Sequence, residues 1–257
     1  MKILAINSSH RGRSGLTQLI LERLLQGASD EGAICETVFL NELTINICKA
    51  CEHCHKQDTL FQCVYNDDFN LVIDKIKSAD IVVYATPIYV FTMSSLLKIF
   101  LERLYGTSNI SDFKITRSRL FFHHVNKEIS SQPFVLLSCC NNLEKLTSKS
   151  LLSYFKIYAK FSDAKMVGTL IRRSINLMQG VKNEKILKNF PKVRTVYDSF
   201  YKAGQELALF GEISRKTQKM AEQHLINVPF LDFLMKIKFF KYKMVQKAKE
   251  MFELNFG

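Results

Sequence analysis

The chain lacks a long apolar run. Its longest such stretches, Ile81–Ala85 and Phe134–Leu137, are far short of the roughly 20 residues that cross a bilayer, so no membrane span is expected. The opening MKILAINSS lacks the longer apolar core of a signal peptide, and a cytoplasmic location is the expectation. Glycine and proline are scarce, at 10 and 4 in 257 residues, which excludes a collagen-like chain. A hydrophobic content of 47% with 23% charged residues excludes a wholly disordered one. No internal repeat, linker or low-complexity stretch is found. An even cysteine count is also missing. Seven cysteines without a signal peptide argue against a disulfide framework and for metal or redox chemistry.

The net charge is +12. Met1–Leu143 is balanced, with 14 basic and 14 acidic residues, whereas Glu144–Gly257 carries 22 basic and 10 acidic ones. Such a surface attracts phosphate-bearing ligands, nucleic acid or anionic membranes, or is simply solvated. No nucleic-acid motif accompanies it, and no nucleic-acid partner is expected. Phe230–Met251 places Phe230, Phe233, Leu234, Ile237, Phe240 and Met244 at roughly helical spacing among Lys236, Lys238, Lys241, Lys243, Lys247 and Lys249. A basic amphipathic helix of this kind lies on a membrane surface or packs on its own or a partner subunit, the reading adopted here.

Hydropathy predicts strands at Lys2–Ile6, Ala33–Leu40, Asp80–Ala85, Pro133–Cys139 and Met166–Ile171, and helices after Leu16 and over Asp67–Lys77, Ser94–Tyr105 and Val193–Phe210. Gly211 is placed to cap the last helix. Continuously apolar strands alternating with helices predict an α/β fold: an open, doubly wound parallel sheet covered on both faces. Ligands bind such sheets at loops leaving the carboxyl ends of the strands. Here these loops are Ser8–Thr17, Thr86–Ser95 and Ser138–Leu143.

The first loop, Ser8-Ser9-His10-Arg11-Gly12-Arg13-Ser14-Gly15-Leu16-Thr17, sets hydroxyls, glycines and arginines at a helix N-terminus, where an anion is favoured. It lacks the Gly-Lys-Ser/Thr ending of nucleotide triphosphatases and the G-x-G-x-x-G of dinucleotide folds. A single small phosphate fits it, and so does an ordinary capping loop with Ser14 as the cap. Thr86-Pro87-Ile88-Tyr89 reads as a strand-ending turn, or as stiff backbone beside an aromatic ring that meets a flat heterocycle.

Ser9, Arg11 and Thr17, then Asp67-Asp68, Ala79-Asp80-Ile81-Val82-Val83, Thr86-Pro87-Ile88-Tyr89 and Leu97-Lys98-Ile99-Phe100-Leu101-Glu102-Arg103 stand in a known order and spacing. They resemble the flavodoxin-like NAD(P)H-dependent FMN reductases, particularly the iron–sulfur flavoprotein branch, over Lys2–Arg103. The first loop departs from the family's G-S-P-R-x-x-(G/S)-N-T pattern at Ser8, His10 and Leu16, and by one extra residue. The resemblance implies a flavodoxin-like, doubly wound five-stranded parallel sheet over 1–211, with a cysteine-rich insertion at 48–68 and a basic helical C-terminal extension at 212–257.

It further implies FMN, bound by Ser9, Arg11, Ser14, Gly15 and Thr17 at its phosphate, and by Thr86, Pro87, Ile88, Tyr89 and the loop from Ser138 at its ring. The flavin does the chemistry, so no catalytic side chain is expected. His10, His53, His55, His123, His124 and His224 are read as structural or solvated. The sharper alternative has His123-His124 reaching the flavin of a neighbouring subunit. NAD(P)H is the implied co-substrate. A small molecule such as a quinone, or a protein redox partner, is the implied acceptor, and a homodimer or homotetramer the implied assembly. A non-enzymatic electron carrier or redox sensor is the alternative, and a flavin-free interaction protein the third.

Cys48-x2-Cys51-x2-Cys54-x8-Cys63 puts four thiolates on a short loop. Such a set suits a [4Fe-4S] cluster, a tetrahedral zinc site, or cysteines that hold no metal. The tight first spacings favour the cubane, and the iron–sulfur branch carries a similar motif with a slightly shorter last gap. Cys35 is read as a core residue, and Cys139 or Cys140 as a neighbour of the flavin loop.

Overall fold

Lys2–Asn7 (β1) is buried at every position after its first, as its unbroken apolar run predicts. The computed structural model describes residues 1–225, 231–234 and 236–246. The chain then alternates: Leu16–Asp30 (α1), Ile34–Phe39 (β2), Phe69–Lys77 (α2), Ile81–Pro87 (β3) and Ser95–Arg103 (α3). A hairpin of Ser108–Ile115 (β4) and Phe121–Val125 (β5) follows, then the short helix Lys127–Ser130 (α4) and Phe134–Cys139 (β6). The unit closes with Lys149–Ser162 (α5), Met166–Arg172 (β7), Glu184–Asn189 (α6), Lys192–Phe210 (α7) and Arg215–Glu222 (α8).

β1, β2, β3, β6 and β7 form one parallel sheet in the order β2-β1-β3-β6-β7. This is the predicted flavodoxin-like fold class. β3 and β6 are buried at every residue, because helices cover both faces of a parallel sheet. One layer holds α1 and α7, with Leu21, Leu24, Val196 and Phe200 fully buried against Ile3 and Val83. The other holds α2, α3 and α5 over Leu4, Val82 and Leu136.

α1 and α7 cross with their backbones almost touching. A Cβ on Gly204 would stand 1.9 Å from the Leu24 carbonyl oxygen, and one on Gly27 2.0 Å from that of Tyr201. Glycine inside a helix costs about 1 kcal/mol, which the close crossing offsets. α7 ends at Gly211 with φ 71, the predicted left-handed cap.

The β4–β5 hairpin was not predicted. Among the described residues its strands pair only with each other and are half exposed, so they lack the apolar run that marked the five sheet strands. α8 is likewise built into the first compact unit, which runs from Met1 to Leu225 and buries Ile213, Ala221 and Leu225.

In the second unit, Ile226–Gly257, the described residues form Leu231–Leu234 (α9) and a further helix over 238–246. The basic helix predicted over Phe230–Met251 is thus two pieces here, and Phe230, Lys247, Lys249 and Met251 lie outside the described residues. No described helix is long and apolar enough to cross a membrane.

The strand register sets the stage for a site. Asn7 pairs with Ala85, Thr86 with Ser138, and Cys139 with Arg172. The chain therefore leaves β1, β3, β6 and β7 at one edge, beside the β1/β3 boundary where strand order reverses.

Candidate functional site

The loop leaving β1 is tied down from within. Asn7 Oδ1 accepts from Ser9 N–H at 2.9 Å, and Asn7 Nδ2 donates to Gln18 Oε1 at 2.8 Å. Gly12 adopts φ +49, and a Cβ on Gly15 would stand 2.7 Å from Ser9 Oγ. Gly15 itself is extended, with φ −77 and ψ 152, and is the residue before α1, with no side chain capping the helix. Its requirement is space rather than a positive φ.

The first amides of α1, Leu16 N–H and Thr17 N–H, have no acceptor among the described residues. No acidic residue stands in that turn. Helix amides left open beside a positive dipole end form an anion site.

Two arginines flank it and behave differently. Arg13 is engaged, donating to both Glu42 carboxylate oxygens at 2.8 and 3.1 Å. Arg11 forms no ion pair among the described residues and lines a cleft of about 270 Å³.

Ser9, Arg11, Leu16, Thr17, Pro87, Ile88 and Tyr89 share that cleft, together with Cys139 at the end of β6, Cys140 and Asn141 from the loop after it, and Ile175 and Asn176 from beyond β7. Six of the ten predicted flavin residues, namely Ser9, Arg11, Thr17, Pro87, Ile88 and Tyr89, thus converge. The other four support the cleft from outside its lining. Ser14 is exposed and donates its hydroxyl to Arg11 O at 2.9 Å, so it is not the predicted cap. Gly15 holds Ser9 in place by its lack of a side chain. Thr86 Oγ1 accepts from Ser94 N–H at 3.1 Å, and Ser138 Oγ donates to Thr86 O at 2.7 Å. The Ser138 hydroxyl thus ties the ends of β3 and β6 together, and the Thr86 hydroxyl holds the start of α3.

The first two backbone donors after Pro87 are occupied. Ile88 N–H donates to Cys139 O at 2.8 Å and Tyr89 N–H to Thr92 O at 2.9 Å. What the segment offers a flat ring is its side chains. Tyr89 stacks on His10 with ring centroids 5.8 Å apart, and His10 Nε2 meets Ser95 Oγ at 3.1 Å.

Cys139 meets the loop after β1, with Sγ 3.3 Å from Thr17 Oγ1. Burial pushes its thiol up to about 12, so it stays protonated and acts as packing. Cys35, half buried, lies 3.7 Å from the Leu25 carbonyl. Ile175 and Asn176 carried no sequence signal beyond a polar break after a strand. They reach the cleft because Ile175 N–H donates to Cys140 O.

The cysteine insertion forms a second centre. All four thiols, Cys48, Cys51, Cys54 and Cys63, line one small void of about 20 Å³ with Tyr65 and Tyr105. Ala50 N–H donates to Cys48 Sγ at 3.4 Å. Ala50 and Glu52 hold left-handed φ of 51 and 55, unusual for residues other than glycine. Burial, with smaller contributions from the other three sulfurs, raises the Cys54 thiol. Among the described residues, no group of three or more metal-ligating side chains stands in coordination geometry. The four cysteines are gathered on one void but do not stand at bonding positions to a common metal.

The insertion is clamped at both feet. Arg103 Nη1 donates to Asn46 O at 3.0 Å and to Asp67 Oδ2 at 2.8 Å, while Asn46 N–H donates to the same carboxylate at 2.9 Å. Both charged side chains are 3% exposed. Burial alone would raise Asp67, but the hydrogen bonds from Arg103 and Asn46 outweigh it and hold the carboxyl well below the usual range.

Residues 1–119 match the family model described as NADPH-dependent FMN reductase. An iron-sulfur flavoprotein of Archaeoglobus fulgidus is 33% identical over 103 residues, covering 40% of this chain and 48% of that protein. The putative NAD(P)H-dependent FMN-containing oxidoreductase YwqN of Bacillus subtilis is 32% identical over 117 residues, covering 44% and 59%. The chain spans about half the length of the curated relatives it matches. Among solved structures, an FMN-dependent NADH-azoreductase of Bacillus anthracis superposes with a TM-score of 0.55 at 14% identity, covering 81% of this chain and all of that one. This last likeness is one of fold.

Proposed function

From the premise that residues 1–119 belong to the NADPH-dependent FMN reductase family, its iron–sulfur flavoprotein branch included, we propose that this protein is an FMN-dependent NAD(P)H oxidoreductase. One observation carries the reading: the amides of Leu16 and Thr17 and the Arg11 guanidinium, none with a partner among the described residues, line one cleft with Ser9 and Tyr89. The first group is the chemistry of a phosphate monoester, and the tyrosine is the wall of a flat ring. Bound FMN supplies a ring that takes hydride from a nicotinamide. The chain's residues bind and orient it. Arg11 and the α1 N-terminus neutralise the phosphate. Pro87, Ile88 and Tyr89 enclose the ring, and Thr86 with Ser138 keeps the two strand ends in register.

Cys48, Cys51, Cys54 and Cys63 hold a [4Fe-4S] cluster in this reading, supported by their shared void and by the Ala50 N–H on a sulfur. Electrons then leave for a small acceptor such as a quinone or for a protein partner. The assembly is a homodimer or homotetramer, supported by the exposed apolar Val90 and Phe91 beside the cleft, 88% and 61% accessible.

Purified protein will be yellow, with absorbance near about 450 nm that NADH or NADPH bleaches under argon. A colourless protein that ignores added FMN overturns the flavin assignment. A flavin that binds but stays oxidised with both nicotinamides makes the chain an electron carrier instead. Anaerobic preparations will contain iron and sulfide, and Cys51→Ala will lose both. Zinc in their place rejects the cluster.

A further inference from the structure

A second hollow, of about 340 Å³, shares no lining residue with the flavin cleft. It lies beside Ser130 and Ser162, which precede β6 and β7, whereas the flavin cleft lies where those strands end. Its walls are rings: Tyr105 after α3, Phe122 and His123 on β5, and Tyr154, Tyr158 and Phe161 on α5. The rings brace one another. Phe122 stacks on His123 at 4.0 Å and meets Phe161 at 4.9 Å. Tyr158 stands edge-on to Phe134 at 5.8 Å and donates its hydroxyl to Ser130 O at 3.1 Å. The hollow is therefore preformed, and a ligand spends little on ordering it.

Its polarity narrows the occupant. Among the described residues, no Lys, Arg, Asp or Glu lines it. Burial, with the nearby His55 next, lowers His123, so its imidazole is neutral around pH 7. Burial, with Tyr158 adding to it, pushes Tyr154 up to about 12, so it keeps its proton. A charged ligand would meet no counter-charge here. A flat ring would gain stacking and edge contacts that an aliphatic chain cannot make.

We propose that this hollow is a binding site for a flat, uncharged aromatic molecule of one or two rings carrying a ring oxygen, a phenol or a quinone. The ring packs among Tyr105, Phe122 and Phe161, and its oxygen meets His123 or Tyr154. Tyr105 also walls the four-cysteine void, so the occupant rests on the same ring as the thiols. The proposal goes beyond the flavin reading and does not depend on it.

The test is calorimetric titration of FMN-saturated protein with 2-naphthol, which does not alkylate thiols. Cyclohexanol and naphthalene-2-sulfonate are the aliphatic and charged controls. One site per chain is expected, at least about tenfold tighter for 2-naphthol than for either control. Ile157→Arg, at an exposed position on the rim, and Phe161→Ala should each weaken 2-naphthol about tenfold or more and leave FMN affinity unchanged. Absence of saturable binding overturns the proposal. So does binding that both variants retain, or binding that appears only when FMN is removed. The last result would place the ring in the flavin cleft. Failure of FMN to bind while 2-naphthol still does would reject the flavin reading alone.

Discussion

Arg11 is the residue on which the phosphate assignment turns. It is the cation at the cleft without an ion-pair partner among the described residues, while its neighbour Arg13 is held by Glu42. Arg11→Ala should weaken FMN binding by about 1.5–3 kcal/mol, the worth of a charge-assisted hydrogen bond, read from flavin fluorescence in a titration. Gly15→Ala should weaken it too, with far-UV circular dichroism unchanged, because its methyl would displace Ser9. Val90 and Phe91 sit at φ 44 and 68 in the turn closed by Tyr89 and Thr92, a strained state for a β-branched residue. Val90→Gly relieves that strain and should stabilise the fold by about 1 kcal/mol, seen as a higher denaturation midpoint. None of these φ values was legible in the sequence, where Tyr-Val-Phe-Thr carries no turn residue.

At the scale of elements, the α1–α7 crossing and the clamp on the insertion matter most. Gly204→Ala places a methyl on the Leu24 carbonyl and should cost about 2 kcal/mol or more, measured by urea denaturation. Arg103 was part of a recognised motif, but its work lies elsewhere in the chain: it joins Asn46 to Asp67 across the cysteine loop. Arg103→Met leaves a buried carboxylate unpaired, which costs about 3–5 kcal/mol, and should also lower iron content. The pH dependence has a defined sign. Unfolded, Asp67 titrates near the ordinary 3.8. Above that value its stabilisation is complete. As pH falls below it, the unfolded chain takes up a proton that the folded carboxylate refuses, and stability declines until the folded group protonates as well. Thermal melts followed downward from about pH 6 should show this decline, and it should be shallower in Arg103→Met.

Across the whole molecule, two centres stand apart. The cleft proposed for flavin and the four-thiol void share no lining residue. Arg11→Ala should therefore lose flavin and keep iron, while Cys51→Ala should lose iron and keep flavin, as absorbance and metal analysis will report. Loss of both groups in either variant would mean that one centre assembles only on the other.

By itself the sequence determined the parallel sheet, the three loops that matter and the four thiols. These follow from local causes: apolar runs, helical spacing and short-range motifs, all read along the chain. Six of ten predicted cleft residues were legible for the same reason. The tertiary structure alone decided the rest, because contacts between residues far apart in the chain leave no local trace. It turned Thr86, Ser138, Ser14 and Gly15 from lining into support. It brought Ile175 and Asn176 across from β7. It also built the β4–β5 hairpin against α5, so that rings from Tyr105 to Phe161 enclose a hollow that no spacing in the sequence foretells.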